Sequence, residues 1–357
     1  MTFGRLARPA GVVTGLLLLT SCAETNAPAL EPQEVLLAVN STAATLSIMP
    51  VDAPASIVEV PLGGTTPTPV GVSARDTIAI VPLGLDNAVA VVSLRSARVT
   101  RTIPLPAGSG ATGSVVVDDS IAYVANPGLN SISRVNYRNG ATREVPVGVY
   151  PQGIVYSRGK LFVLNGNLDS NFSPAGPSWL TVVDPVTNTI ADGVDSIPLT
   201  GPGNAGFAAE SGDGTLYVLS TGSFFEGEGR LSAVDPVARR ETASFAGFGT
   251  GPGGLASDGA SRLYVSSFAE GLMVFDSDSN VVVRGAGEGV RIPGGNSAVA
   301  VDSQDRVYAL EAGSCSGGRP GSARVLRPAD LSEIRTIALG ECPSGAAIAE
   351  IPQMPQE

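Results

Sequence analysis

One strand-like pattern, apolar–Tyr/Phe–Val–x–Asn/Ser, recurs seven times along the 357 residues and constrains the fold more than any other feature. It ends at Asn40 (LLAVN), Pro82 (IAIVP), Asn126 (AYVAN), Asn165 (LFVLN), Ser220 (LYVLS), Ser267 (LYVSS) and Glu311 (VYALE). The successive spacings are 42, 44, 39, 55, 47 and 44 residues. Self-similarity at such a period marks an architecture of stacked units, none of which can bury its apolar face alone.

Each period holds more than one strand. A shorter apolar stretch precedes six of the copies, as in VGVSAR from Val70, GIVYSR from Gly153 and AVAVDS from Ala298. A third follows, as in WLTVVDP from Trp179 and RLSAVDP from Arg230, and a fourth after a turn, as in IRTIALG from Ile334. Four strands in each of seven periods predict an all-β, seven-bladed β-propeller with four-stranded blades. The first period lacks its leading strand, and the last is followed by Ala346–Ile351 (AAIAEI), which fits the vacancy. The C-terminal strand is therefore expected to complete the first blade and close the ring, whereas an open solenoid would need polar caps.

Composition decides between this reading and disorder. Glycine (44) and proline (27) are abundant, but 43% of residues are apolar and fall in short runs of Val, Ile and Leu. Disordered chains lack such runs. The formal charge is −11, Lys160 is the only lysine and histidine is absent. A nucleic-acid partner is excluded for want of a basic face, and so is any mechanism built on a histidine base or ligand.

The strands AYVAN, LYVLS and LYVSS, with the VVDP and AVDP turns, resemble YVTN-type propeller repeats. The blade AVAVDSQDRVYALE (Ala298–Glu311) is similar to an NHL-type repeat. The resemblance covers residues 35–351. It implies the propeller fold and leaves function open, since such rings serve binders, scaffolds and enzymes alike.

The N-terminus reads as an address. Arg5 and Arg8 precede an apolar stretch, Gly11 to Leu19, too short to span a bilayer. Leu19-Thr20-Ser21-Cys22 resembles the bacterial lipobox. This implies a signal peptide over 1–21, lipidation of Cys22 and a membrane anchor. Ala23 in the next position favours the outer membrane. Residues 22–34 are expected to form the lipidated tether, 35–351 the propeller and 352–357 a tail.

With Cys22 lipidated, Cys315 and Cys342 form an even pair in an oxidising compartment. Propeller topology brings both to one face of blade seven and predicts a disulfide. Gly108-Ser-Gly110-Ala-Thr-Gly113 matches G-x-G-x-x-G but precedes a strand, so it fails as a dinucleotide loop. Asp276-Ser-Asp278-Ser-Asn280 opens like a calcium loop, but Val281 and Gly287 stand where glycine and glutamate are required. The other carboxylates fall in turns.

Two long second-to-third strand loops remain, residues 165–179 in blade four and 220–230 in blade five. They are expected to bring Asn165, Asn167, Asp169, Phe172 and Trp179 near Phe224, Phe225, Glu226 and Glu228. Asn126, Gln152, Asn204, Asn296 and Glu311 are placed on the same face, some toward the central channel. An aromatic and carboxylate rim suits recognition. The expectation is thus a monomeric, non-catalytic envelope lipoprotein that binds or scaffolds a protein, glycan or small ligand without a cofactor. The alternative is a hydrolase resembling the gluconolactonase-type propellers, which would hold a divalent cation on carboxylates in the channel, with Glu311 as the residue placed for it. A quinone-dependent dehydrogenase is disfavoured by the single tryptophan.

Overall fold

The recurrent strand is apolar without interruption because it is buried on both sides. In the computed structural model, which describes Met1 and residues 32–353, each recurrent strand is the second of a blade and lies between two neighbouring blades. Blade three is representative, with antiparallel strands Ser114–Val116, Ile121–Asn126, Ser131–Asn136 and Thr142–Pro146 running from centre to rim. Seven such sheets form the ring. The expected signal peptide after Met1, Cys22 and most of the expected tether lie outside the described residues, as does the end of the expected tail.

Alternation along these strands sends successive side chains to opposite neighbours. Leu37 and Val39 pack with Ala79 and Val81 of blade two, whereas Leu36 and Ala38 pack with Tyr308 and Leu310 of blade seven. The same division builds seven apolar clusters, one at each blade interface. The ring thus has a distributed core, and every blade depends on both neighbours.

The closing strand is Pro343–Ile351, innermost in blade one beside Gln33–Asn40. Pairing begins at Gln33 opposite Ile351 and ends at Asn40 opposite Pro343. The ladder therefore takes in Gln33 and Glu34, two residues that the sequence reading gave to the tether. The outermost strand of blade four also departs from the repeat. It is broken into Thr189–Ile190 and Ser196–Pro198, both paired with Trp179–Asp184. The intervening residues bulge outward and are held by Arg239, which donates to the carbonyls of Asp192 and Val194.

The two ends of the ring differ. One carries the links from each innermost strand to the second and from the third to the outermost. Here the described chain both enters and leaves, since Gln33 opposes Ile351 and the Glu34 carboxylate accepts the Ser303 N–H and hydroxyl of a blade-seven turn. The other end carries the second-to-third strand loops and the links between blades, and is called the loop face below.

Carboxylates at the entry end fasten turns. Asp184 accepts the Lys160 ammonium at 2.7 Å and the Val186 N–H at 2.8 Å, and these bonds hold its carboxyl below the ordinary range. The Ser211 hydroxyl and the Thr215 N–H do the same for Asp213. A depressed folded-state pKa contributes stability that is complete above the unfolded value of about 3.9 and is lost as pH falls through the lower folded value. With no histidine in the chain, no side chain of ordinary pKa titrates between about pH 5 and 8. The unfolding midpoint is therefore expected to be flat across that window and to fall steeply below about pH 4, in a thermal melt series at constant ionic strength. A midpoint that held to about pH 2.5 would show that these turns contribute nothing.

Candidate functional site

The asparagines that end the second strands are clasps within their blades. Asn126 is fully buried and donates through Nδ2 to the Ser131 and Ser133 hydroxyls at 3.1 and 2.9 Å. Asn165 donates to the Thr181 hydroxyl at 2.9 Å and the Trp179 carbonyl at 3.1 Å. Asn40, which sequence reasoning did not single out, makes the same pair of bonds to Thr45 and Ser47 at 2.9 and 2.8 Å. The spacing Asn-x4-Thr/Ser-x-Ser at Asn40 and Asn126 was the available signal, since a tight hairpin sets those hydroxyls opposite the amide.

Glu311 occupies the same station in blade seven with polarity reversed. It accepts the Ser322 hydroxyl at 3.1 Å, Arg324 at 3.3 Å and Arg319 at 2.9 Å. The carboxylate on which the hydrolase alternative relied is therefore committed to two guanidinium groups within its own blade. Among the described residues, no three His, Cys, Asp or Glu side chains come together in a way that could hold a metal ion.

Asn204 and Gln152 join blades four and five. Gln152 donates to the Asn204 side-chain oxygen at 2.8 Å and to the Ala205 carbonyl at 3.2 Å, and Asn204 donates to the Gly222 carbonyl at 3.1 Å. Asn296 is buried, and the amide orientation that satisfies its neighbours donates to the carbonyls of Ala298 and Leu310.

The two long loops do meet, across a cleft of about 370 Å³. Pro174 and Pro177 of the first, Ser223 and Glu228 of the second, and Pro202 and Gly203 of the link between them line it. Both loops are internally fastened. Asn167 donates to the Pro177 carbonyl at 2.9 Å, Asp169 accepts the Asn171 and Ser173 N–H groups, and Glu228 accepts the Ser223 N–H at 3.0 Å. Glu226 has no side-chain partner among the described residues. Trp179 does not join this rim. Its indole lies against the backbone of the link from blade three, where a Cβ on Gly148 would stand 2.6 Å from the ring.

The aromatic rim is instead phenylalanine. Phe172, Phe224 and Phe225 are exposed, Phe225 to 90%, and Phe172 packs edge-on against Tyr150 at 5.9 Å. Phe268 of blade six is also exposed, beside a second cleft of about 400 Å³ that includes Arg291. Sequence reasoning did not find it, because nothing in the sequence distinguishes an exposed phenylalanine in a short loop from a core one. All five exposed phenylalanines among the described residues lie on loop-face loops of blades four to six or, for Phe207, in the channel.

The channel itself encloses about 380 Å³ and is lined by the innermost strands of all seven blades. These strands crowd one another. A Cβ on Gly153 would stand 2.6 Å from the Gly206 carbonyl oxygen, and one on Gly345 equally close to that of Val70. In five of the strands pairing with the second strand slips by one residue, skipping Gln152, Gly206, Gly253, Ser297 and Ser344. Such bulges bend the strand at its loop-face end. Among the described residues, none of those lining this cavity is charged.

No family model matches the chain, and no curated protein does. Among solved structures it is similar to hydrazine synthase of Kuenenia stuttgartiensis, with a TM-score of 0.62 and 14% identity over 79% of this chain and 89% of that one. It is likewise similar to a streptogramin B lyase, with a TM-score of 0.59 and 13% identity over 88% of this chain and 91% of that one. In all, 1342 solved chains match, and a fold so widely used does not select an activity.

Proposed function

We propose that this protein is a non-catalytic binding module of the bacterial cell envelope, tethered through Cys22 and using the loop face of blades four to six to hold a protein partner. The observation that carries this reading is the collection of exposed phenylalanines on three adjacent blades of one face. Exposed apolar groups gathered in this way mark interaction surfaces, whereas single ones are ordinary. The entry end supplies the contrast, since its most exposed apolar residues, Val186 and Val237, are small aliphatic residues in turns and not aromatic. Because the chain enters the ring at that end, a lipid on Cys22 would turn the loop face away from the membrane. The two similar enzymes are too distant in sequence to lend an activity.

A photo-crosslinking residue at position 225, compared with one at position 237, tests this in cells. A discrete adduct is expected from 225 alone, and it should vanish when Phe172 and Phe224 are changed to serine. Equal labelling from both positions would sink the docking face.

A further inference from the structure

We propose that the arginine-bearing rim of blades two and three, at the entry end, docks on the anionic phospholipid headgroups of the membrane to which the chain is tethered. From Ser73 to Pro146 these blades carry seven arginines against five carboxylates, within a chain of formal charge −11. Five of the arginines are exposed and lie in or near the third-to-outermost hairpins: Arg95, Arg98 and Arg101 in blade two, Arg138 and Arg143 in blade three. Among the described residues, none of the five pairs with a carboxylate. Two are fixed by carbonyls, which orient a guanidinium without cancelling its charge. Arg101 donates to the Arg138 carbonyl at 3.1 Å and lies over the same hairpin, where a Cβ on Gly140 would stand 3.5 Å from its Nη1. Arg138 donates to the Asp119 carbonyl. Arg143 stands opposite Arg134 of the adjoining strand, a like-charged pair that does not favour the fold. Nearby acids are engaged elsewhere, since Asp118 accepts the Ser120 and Ile121 N–H groups, and Asp76 and Asp119 lie beside Arg75. Glu144 is the exception, exposed next to Arg143.

Position and charge together favour a bilayer. Arg95 donates to the Pro352 carbonyl, one residue beyond the strand end that Gln33 opposes, so the patch adjoins the point where the tether arrives. Ten residues separate Cys22 from Gln33, and a lipid on Cys22 would keep this end within about 40 Å of the membrane. The entry-end turns of blades four to six carry Asp184, Asp213, Asp235, Asp258 and Asp276 instead. An anionic surface would therefore draw blades two and three toward it and leave blades four to six tilted away. Screening over about 8–10 Å at physiological salt lets the near patch act while acids across the ring are largely hidden. Five guanidinium groups make a spot and not the basic track that follows a nucleic-acid duplex. This docking rests on the anchor proposed above, which brings the entry end to a membrane.

Co-sedimentation of the chain from Ala23, which holds every strand of the ring and no lipid, with vesicles of equal parts phosphatidylglycerol and phosphatidylcholine tests it. The protein should bind these and not pure phosphatidylcholine, and should be released as salt rises to about 1 M and the screening length shrinks to about 3 Å. Arg101→Gln, Arg138→Gln should weaken binding about 30-fold, which is the roughly 1 kcal/mol per basic residue at an anionic surface expressed as affinity. Arg101→Lys, Arg138→Lys should bind as the parent does, because a bilayer reads charge and not the fork of the guanidinium. Arg158→Gln, Arg284→Gln removes as much charge outside the patch and should leave binding intact. No binding to the anionic vesicles, equal loss from both glutamine pairs, or tighter binding to duplex DNA than to the vesicles would overturn the proposal. The anchor is read separately, by palmitate incorporation into the full-length chain and its loss in Cys22→Ala. Incorporation without vesicle binding strikes the patch alone, whereas vesicle binding without incorporation strikes the anchor and leaves the patch.

Discussion

A chain ending at Cys342, and so lacking residues 343–357, is expected to lose its cooperative unfolding transition. The missing strand is the only innermost strand of blade one, and it pairs along the whole length of Gln33–Asn40. Its loss opens the apolar run Val35–Val39, which is now at most 1% exposed, and deprives it of main-chain partners. The damage spreads to both sides, because Ala349 and Ile351 belong to the cluster shared with blade two, and Ala346 and Ile348 pack against the cluster shared with blade seven. Both interfaces of one blade fail together, and a ring with an open blade has no second route to closure. The cost is therefore of the order of the whole stability of a domain, roughly 5–15 kcal/mol. Near-ultraviolet dichroism and a thermal melt should show the loss, and a synthetic peptide of residues 343–353 should restore both. A truncated chain that melted within about 3 °C of the full-length protein would refute the closure. The Cys315–Cys342 bridge survives this cut, so the effect belongs to the strand.

The sequence carried the architecture because period and alternation are properties of the chain itself. Seven apolar strands at a spacing near 44 leave no other way to bury both of their faces. The strand missing at the start and supplied at the end located the seam, short by two residues on one strand, Gln33 and Glu34, and by three on the other, Pro343 to Gly345. The roles of polar residues at strand ends were not legible in the same way. Asn126, Asn165 and Glu311 look like ligand groups in a sequence because they sit where ligands bind in a ring. In the structure their partners are hydroxyls, carbonyls and guanidinium groups of the next strand and, for Arg319, of the loop before it, and only the folded pairing reveals that. Trp179 shows the same limit, since the direction of its indole depends on the glycine link that it covers.

The loop face was half legible. The lengths of the two insertions predicted that they project, and they do converge on one cleft. Their acids, however, were expected to face a ligand, and Asp169 and Glu228 instead cap backbone N–H groups of their own loops. The channel left the faintest trace. Its shape depends on glycines that admit close carbonyl groups and on one-residue slips in pairing, and neither has a signature in apolar periodicity.

Loss of the disulfide should produce the second large effect. Cys315 lies in the second-to-third strand loop of blade seven and Cys342 immediately before the closing strand, and their sulfurs are bonded across 27 residues of sequence. Constraining a loop of that size in the unfolded chain contributes about 3.5 kcal/mol on the chain-entropy estimate. The bridge also has a local task. The Cys342 carbonyl accepts the Ser41 N–H at 2.8 Å, and the Cys315 carbonyl accepts the Thr42 hydroxyl at 3.1 Å, so the same staple holds the first hairpin of blade one against blade seven. A Cys315→Ser, Cys342→Ser protein should melt about 5 °C lower, given an unfolding entropy that scales with a chain of this length. Hydrogen exchange locates the weakness more sharply than the melt does. If the bridge secures the seam, amides of Gln33–Asn40 and Pro343–Ile351 should lose protection first, while those of blades three to five keep theirs. A uniform loss of protection across all seven blades would mean that the bridge acts only through the unfolded chain and that the seam holds without it.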